Sequence, residues 1–380
     1  MFGDSPKADF GELPQALVQD VLNQSMGLAA VLQSDLGRMR EEIPSIRKAF
    51  ANIRRIGDLP DVPIPTSCGI DGSYIVERLL STDLAGFAAL AIEGLTPPSE
   101  TRFWPDPRHA ARVFAVPHHE STAQVVRGLM MCHELSLATS APHDVVMLDN
   151  SLKTFLIYLN NATTSYVSCT SPELAASFGD MLEGAVAGYT EVLSGERRDR
   201  ANVALPKYST LRELGSRAKV TVPYDDRTLA SMALNAGEFV GPLDVTPDEH
   251  LHLSVPRILD ENHPTLRAKV LKLPELLNQA QVLYFKPRQY LPAFRLELAP
   301  STAKNDSALA SVLRALEFQS SIAGLFEPFP LYLADRMVSH LGVAFPSFLQ
   351  AVTHEMATRH AGDVGEVYLT MHSYRSEAGR

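Results

Sequence analysis

Five acidic residues stand where expected strands and helices begin or end: Asp71, Glu134, Asp149, Asp226 and Asp335. Carboxylates that converge from separate elements are the ligands magnesium and manganese prefer. One or two such cations activate water and neutralise the leaving oxygen in phosphodiester hydrolysis. Asp71 lies in Cys68-Gly69-Ile70-Asp71-Gly72-Ser73-Tyr74-Ile75-Val76, a β-forming stretch whose small residues let a ligand approach the backbone. A hairpin turn is the competing reading, because Asp-Gly is a common turn dipeptide. Asp149 closes the apolar run Val145-Val146-Met147-Leu148, the pattern of a central strand that delivers a carboxylate to its C-terminal edge.

Each residue also has a plainer reading. With 44 acidic residues, chance constellations are easily made. Glu134 reads as a solvated helix charge as well as a ligand. Asp226 reads as a helix N-cap, and its neighbour Asp225 competes for either role. Lys207 ends an expected strand at 202–207, placed for a phosphate contact or simply to snorkel. Tyr74 reads as packing.

Other chemistries find less support. His354-Glu355 and His360 have the wrong spacing for a zinc-binding His-Glu-x2-His, and His118-His119-Glu120 lacks a second half. There is neither a phosphate-binding Gly-x4-Gly-Lys-Ser/Thr nor a Gly-x-Ser-x-Gly elbow. Cys132 and His133 are adjacent on an expected helix and so do not face each other. A net charge of −10 argues against a broad duplex-binding surface, so any grip on nucleic acid is a local groove or is supplied by a partner. Three cysteines without paired short spacing fit a reducing compartment, and no membrane span or secretory leader is expected, which places the chain in the cytoplasm.

The elements that must position these residues form one α/β domain with helical additions. Helix is expected over 10–57, interrupted at Pro44, with Arg47, Lys48, Arg54 and Arg55 on a basic arm that is either solvated or partner-facing. A linker at 59–66 leads into the Asp71 strand, which has a hairpin partner at 86–94. A Pro- and Arg-rich loop follows at 97–118, then helices at 121–139 and at 172–194, the latter closed by Gly195. A helix at 225–235, strands at 249–256 and within 281–298, and helices at 304–324, 330–342 and 346–361 complete the chain.

The order of these pieces resembles the NurA nuclease family across residues 65 to 342. Ile70-Asp71-Gly72-Ser73 is similar to its first Asp-Gly-Ser motif, and Glu134 to the acid on the helix before the second Asp strand. Leu148-Asp149-Asn150-Ser151-Leu152 resembles Leu-Asp-Gly-Ser-Leu, and Lys207-Tyr208-Ser209-Thr210 its lysine-containing strand end. Asp226-Arg227-Thr228-Leu229, Phe285 with Pro292-Ala293-Phe294-Arg295-Leu296-Glu297, and Pro328-Phe329-Pro330-Leu331 through Ala334-Asp335-Arg336 match the remaining motifs.

The resemblance implies an RNase H-like mixed β-sheet flanked by helices, divided as an N-terminal helical extension (1–60), a nuclease core (61–345) and a C-terminal helix and tail (346–380). It also implies manganese- or magnesium-dependent cleavage of DNA, a homodimer, and work beside a HerA-type hexameric translocase, in end processing or in defence. Asp71, Glu134, Asp149 and Asp226 would form the acidic metal site, with Asp335 at its rim and Lys207 stabilising developing charge. Two departures stand out. Asn150 replaces a glycine, and the place of a frequent metal-binding histidine is taken by Asp335, with His340 about 140° away around the helix. The rival expectation is a non-catalytic module of the same fold that docks on the ATPase. Action on RNA is a further alternative. The helical region 10–57 is the expected motor-docking surface.

Overall fold

A computed structural model describes residues 13–50, 52–207, 211–220 and 223–376. The chain opens with helix α1 (Gln15–Ala49) and a two-residue strand β1 (Arg54–Arg55). A meander follows, of β2 (Ser67–Leu79), β3 (Asp83–Glu93) and β4 (Arg108–Val116). Next come α2 (Thr122–Ser140), β5 (Val145–Leu148), α3 (Leu152–Tyr166), α4 (Pro172–Ser194) and β6 (Ala201–Ala204). Short helices α5 (Glu213–Arg217) and α6 (Asp226–Ala233) precede β7 (Glu238–Asp244). Three more, α7 (Arg257–Asn262), α8 (Leu266–Val270) and α9 (Leu273–Gln279), lead to the hairpin β8 (Gln281–Lys286) and β9 (Phe294–Leu298). The chain ends with α10 (Pro300–Ala303), α11 (Asp306–Gln319), α12 (Phe329–Arg359), α13 (Val364–Thr370) and β10 (Ser373–Ser376).

The strands form one mixed sheet in the order β1-β7-β8-β9-β6-β5-β2-β3-β4, with β10 added to β2. β2, β3 and β4 are antiparallel, whereas β5 runs parallel to both β2 and β6. β5 is buried on both faces. Val146 and Leu148 pack with α2, α3 and α4, and Val145 and Met147 with α11 and the start of α12. An unbroken apolar run is therefore what this strand requires.

Glycines bring helices close to β2 from both sides. A Cβ at residue 69 would stand 2.6 Å from the Leu331 nitrogen and the Pro330 carbonyl carbon, so the first turn of α12 lies directly on this strand. On the opposite face, a Cβ at residue 72 would overlap Glu134 and stand 2.8 Å from Met130 Cγ of α2.

Several expected elements differ. α1 runs through Pro44 and α12 through Pro346; both prolines are exposed, so water can serve the carbonyls they orphan. Arg54 and Arg55 are not helical but pair in strand with Phe239 and Glu238. The expected loop at 97–118 contains β4, an edge strand that exposes Arg108, His109 and Arg112 and buries Phe114 and Val116. No strand forms at 249–256. β7 went unread because Gly241-Pro242 breaks its pattern where its register against β8 shifts.

The close approach at Gly69 is testable. Gly69→Ala is expected to cost about 1–3 kcal/mol of stability, as overpacked cores do. Urea unfolding measures it, and an unchanged midpoint would contradict the packing described.

Candidate metal centre

Pairing of β2 with β5 brings the first two carboxylates together. The ladder ends at Ile70 opposite Leu148, and the Asp149 amide donates to the Ile70 carbonyl at 3.3 Å. The next residue of each strand is an aspartate, so Asp71 and Asp149 are neighbours at the sheet centre. α12 supplies the third. Its Leu331 sits on Gly69, and Asp335 follows one turn later on the same helical face. Carboxylate oxygens of Asp71, Asp149 and Asp335 all lie within 4.8 Å of one another.

Glu134 reaches the site from α2 over Gly72. It is fully buried, and neither of its oxygens has a hydrogen-bond partner. Asp149 Oδ1 is likewise buried without a hydrogen bond. Lys207, three residues beyond β6, gathers the opposite edge. Its Nζ lies 3.1 Å from Asp149 Oδ2, 3.0 Å from Asp335 Oδ2 and 3.1 Å from Glu327 Oε2. Glu327 was missed from sequence, although it immediately precedes the Pro328-Phe329-Pro330 entry to α12.

Crowding of like charge governs the protonation of this group. Burial and then the Asp149 carboxylate push Asp71 up to about 8. Burial raises Asp149 to about 6, against the pull of Lys207. Glu134 is held well above the usual carboxylate range by burial and by Asp71 and Asp149. Burial opposes the charge on Lys207, but Asp149, Glu327 and Asp335 outweigh it and hold the ammonium above the ordinary lysine value.

The structure does not bring the remaining candidates to this cluster. Asp225 caps α6, accepting from the Thr228 amide and hydroxyl at 2.9 Å each. Asp226 accepts from the Leu214 and Gly215 amides at 2.9 and 2.8 Å and from the Tyr284 hydroxyl at 3.2 Å. His340 is exposed, its Nδ1 3.0 Å from the Arg336 carbonyl of its own helix. Asn150 has no positive φ, so it replaces the resembled glycine without needing a left-handed backbone. Tyr208, Ser209 and Thr210 of the lysine motif lie outside the described residues.

Asp226 instead begins a buried polar chain that ends beside the centre. Arg295 donates to the Tyr284 hydroxyl at 2.7 Å and to Glu297 Oε1 at 3.0 Å. Glu297 Oε2 accepts from the Ser151 hydroxyl at 2.9 Å and from the Leu152 amide at 2.8 Å. The carboxylate thus anchors the start of α3, three residues past Asp149. Arg227 donates to the Ala293 carbonyl at 3.1 Å and to the Lys207 carbonyl, fixing the backbone of the lysine. A small cleft opens next to these groups, lined among others by Asp149, Lys207, Arg227, Arg295, Phe326 and Glu327.

Hard oxygen donors, unpartnered buried carboxylate atoms and mutual repulsion suit a divalent cation. Asp71, Asp149 and Asp335, with Glu134 beside them, are the residues that could hold it.

Among solved structures, the chain is similar to the NurA nuclease from Sulfolobus solfataricus, at 12% identity and a TM-score of 0.58, covering 92% of this chain and 99% of that one. It is similar also to a NurA with manganese, at 12% identity and a TM-score of 0.52, covering 89% and 98%. A third NurA structure matches at 14% identity and a TM-score of 0.52, covering 91% and 99%. No family model and no curated protein matches the chain. The fold is therefore the RNase H-like α/β fold of the NurA structures, as the sequence motifs implied.

The protonation of Asp71 makes stability depend on pH. The folded protein keeps this proton up to about pH 8, whereas an unfolded carboxyl releases it near 3.8. Between these values the unfolded chain binds fewer protons, so metal-free protein loses stability as pH rises. Asp71→Asn, always neutral, is expected to raise the melting midpoint in chelator at pH 8 and to change it little at pH 4. Equal pH slopes for both proteins would contradict the assignment.

Proposed function

We propose that this chain is a divalent-metal-dependent DNA nuclease in which Asp71, Glu134, Asp149 and Asp335 hold manganese or magnesium. The observation that carries the proposal is the convergence of three carboxylates within 4.8 Å at the centre of a NurA-like sheet, beside a fourth that is buried without partners. The bound cation would lower the pKa of the attacking water and offset negative charge at the phosphate. Lys207, fixed by three carboxylates and by Arg227 at its backbone, would stabilise the charge that develops on the phosphoryl oxygens. Asp226, first grouped with the ligands by motif order, acts in this reading through Tyr284, Arg295 and Glu297 to hold the segment after Asp149 in place.

DNA as substrate, a homodimeric state and a HerA-type hexameric ATPase as partner follow from the motif resemblance, and the NurA solved with manganese supports the choice of metal. The net charge of −10 fits an enzyme whose DNA is fed by a motor into a narrow site, not held on a broad basic face. A module that docks on the ATPase without chemistry is the weaker reading. It has no physical reason to keep Glu134 fully buried with both oxygens unpartnered.

The test uses labelled single- and double-stranded DNA with manganese, with and without the cognate ATPase. Wild type is expected to cleave. Asp71→Asn and Glu134→Gln should lose activity by at least about a hundredfold, and Lys207→Ala by about the same. Equal cleavage by wild type and Asp71→Asn would sink the site. No cleavage by wild type, even with the ATPase, would favour the docking module.

A further inference from the structure

Where β5 stops, β2 continues. The ladder between them ends at Ile70 opposite Leu148, and the ladder of β2 with β10 begins only at Glu77 opposite Ser376. Among the described residues, no strand covers that edge of β2 from Asp71 to Val76. Gly72, Ser73 and Tyr74 are accordingly partly exposed, whereas Ser67 to Asp71 are buried. The gap begins at the metal centre and follows the strand away from it.

Arg127 of α2 lies over this stretch. Its guanidinium carbon is 4.6 Å from the centre of the Tyr74 ring of β2 and 4.6 Å from that of the Tyr158 ring of α3, and it donates to the Tyr74 hydroxyl. No carboxylate pairs with it among the described residues, and its Nε is buried without a hydrogen bond. Arg47, Arg200 and Arg295, the arginines tied into the body, each lie against a glutamate instead. Holding a guanidinium largely out of water without a counter-charge is costly. Stacking on two rings offsets part of that cost and leaves the in-plane donors free for a bidentate oxygen ligand such as phosphate. In a chain of net charge −10, a cation spared a carboxylate is placed for an anion from outside.

Two counts agree on how far this cation is from the metal centre. Tyr74 is three residues past Asp71 along a strand, which is about 10 Å. Arg127 is seven residues before Glu134 along a helix, which is again about 10 Å. A stacked strand of DNA rises about 3.4 Å per nucleotide, so a phosphate held here is about three nucleotides from one at the metal.

We propose that Arg127, held between Tyr74 and Tyr158, binds a backbone phosphate of the DNA strand about three nucleotides from the scissile bond, with the uncovered edge of β2 as the track between them. The proposal rests on the nuclease reading above and places the substrate of that site.

The test is manganese-dependent cleavage of single strands of increasing length by the full chain, together with binding of a labelled strand across a salt series. Wild-type KM should fall by about tenfold as the strand grows from a dinucleotide to a length that reaches Arg127. Arg127→Gln should raise KM on long strands by about tenfold, hold kcat within about twofold and leave the dinucleotide unaffected. The slope of log Kd against log salt should fall by about 0.7, the share of one phosphate on a single strand. Arg127→Lys should keep the slope, because the charge remains, and recover only part of the affinity, because an ammonium lacks the planar fork. Unchanged melting midpoints control for folding, and the wild-type length series decides without any variant. A loss in Arg127→Gln that is equal on the dinucleotide, or a salt slope that matches wild type, would mean that the stacked side chains only brace α2 against α3, and overturns the proposal. So does a wild-type KM that is indifferent to strand length. If wild type cleaves nothing, the nuclease reading fails, and the salt slope still decides the phosphate contact.

Discussion

Like charges forced together out of water are the constraint on which this structure turns. Asp71, Glu134, Asp149 and Asp335 converge where two strands and two helices meet, and among the described residues Lys207 is the one cationic side chain paired into the cluster. Ionised together without compensation, these groups would repel strongly, because a buried site screens charge poorly. The protein meets this by holding protons on Asp71 and Glu134. A divalent cation would replace those protons and turn repulsion into coordination. The feature that destabilises the empty fold is thus the one that would give it affinity for metal.

Geometry converts that constraint into a site. The parallel ladder between β2 and β5 sets two aspartates side by side, and glycines on either side of Asp71 admit the two helices that carry the others. Gly69 receives the α12 backbone and Gly72 receives Glu134. Around this, buried polar bonds fix the supporting pieces. The chain from Asp226 through Tyr284, Arg295 and Glu297 anchors the start of α3, and Arg227 pins Lys207. Such supports lock first contacts to within the tolerance that catalysis needs.

Much of this was legible in the sequence, for definite reasons. Val145 to Leu148 is apolar at every position because both its faces are covered, so the strand and its terminal Asp149 announce themselves. Asp71 was legible through its flanking glycines and through its order relative to Glu134 and Asp149. Asp226 was read as a ligand because motif order carries no information on where a carboxylate points. Its oxygens turn to the amides of Leu214 and Gly215, a contact across a loop that no local pattern encodes. Glu327 escaped notice because it sits in a turn before α12 and meets Lys207 only through the tertiary fold. β4 was hidden by its arginines, which suit an edge strand, and β7 by its Gly-Pro step.

The most direct measurement is calorimetric titration of the metal-free protein with manganese at pH 7, in buffers of different ionisation enthalpy. If the four carboxylates form the site, wild type should bind manganese and release at least about one proton, because Asp71 and Glu134 are held above the ordinary carboxylate range. Asp71→Asn should bind more weakly and release fewer protons. Absence of binding, or binding that releases no proton and is indifferent to Asp71→Asn, would contradict the site.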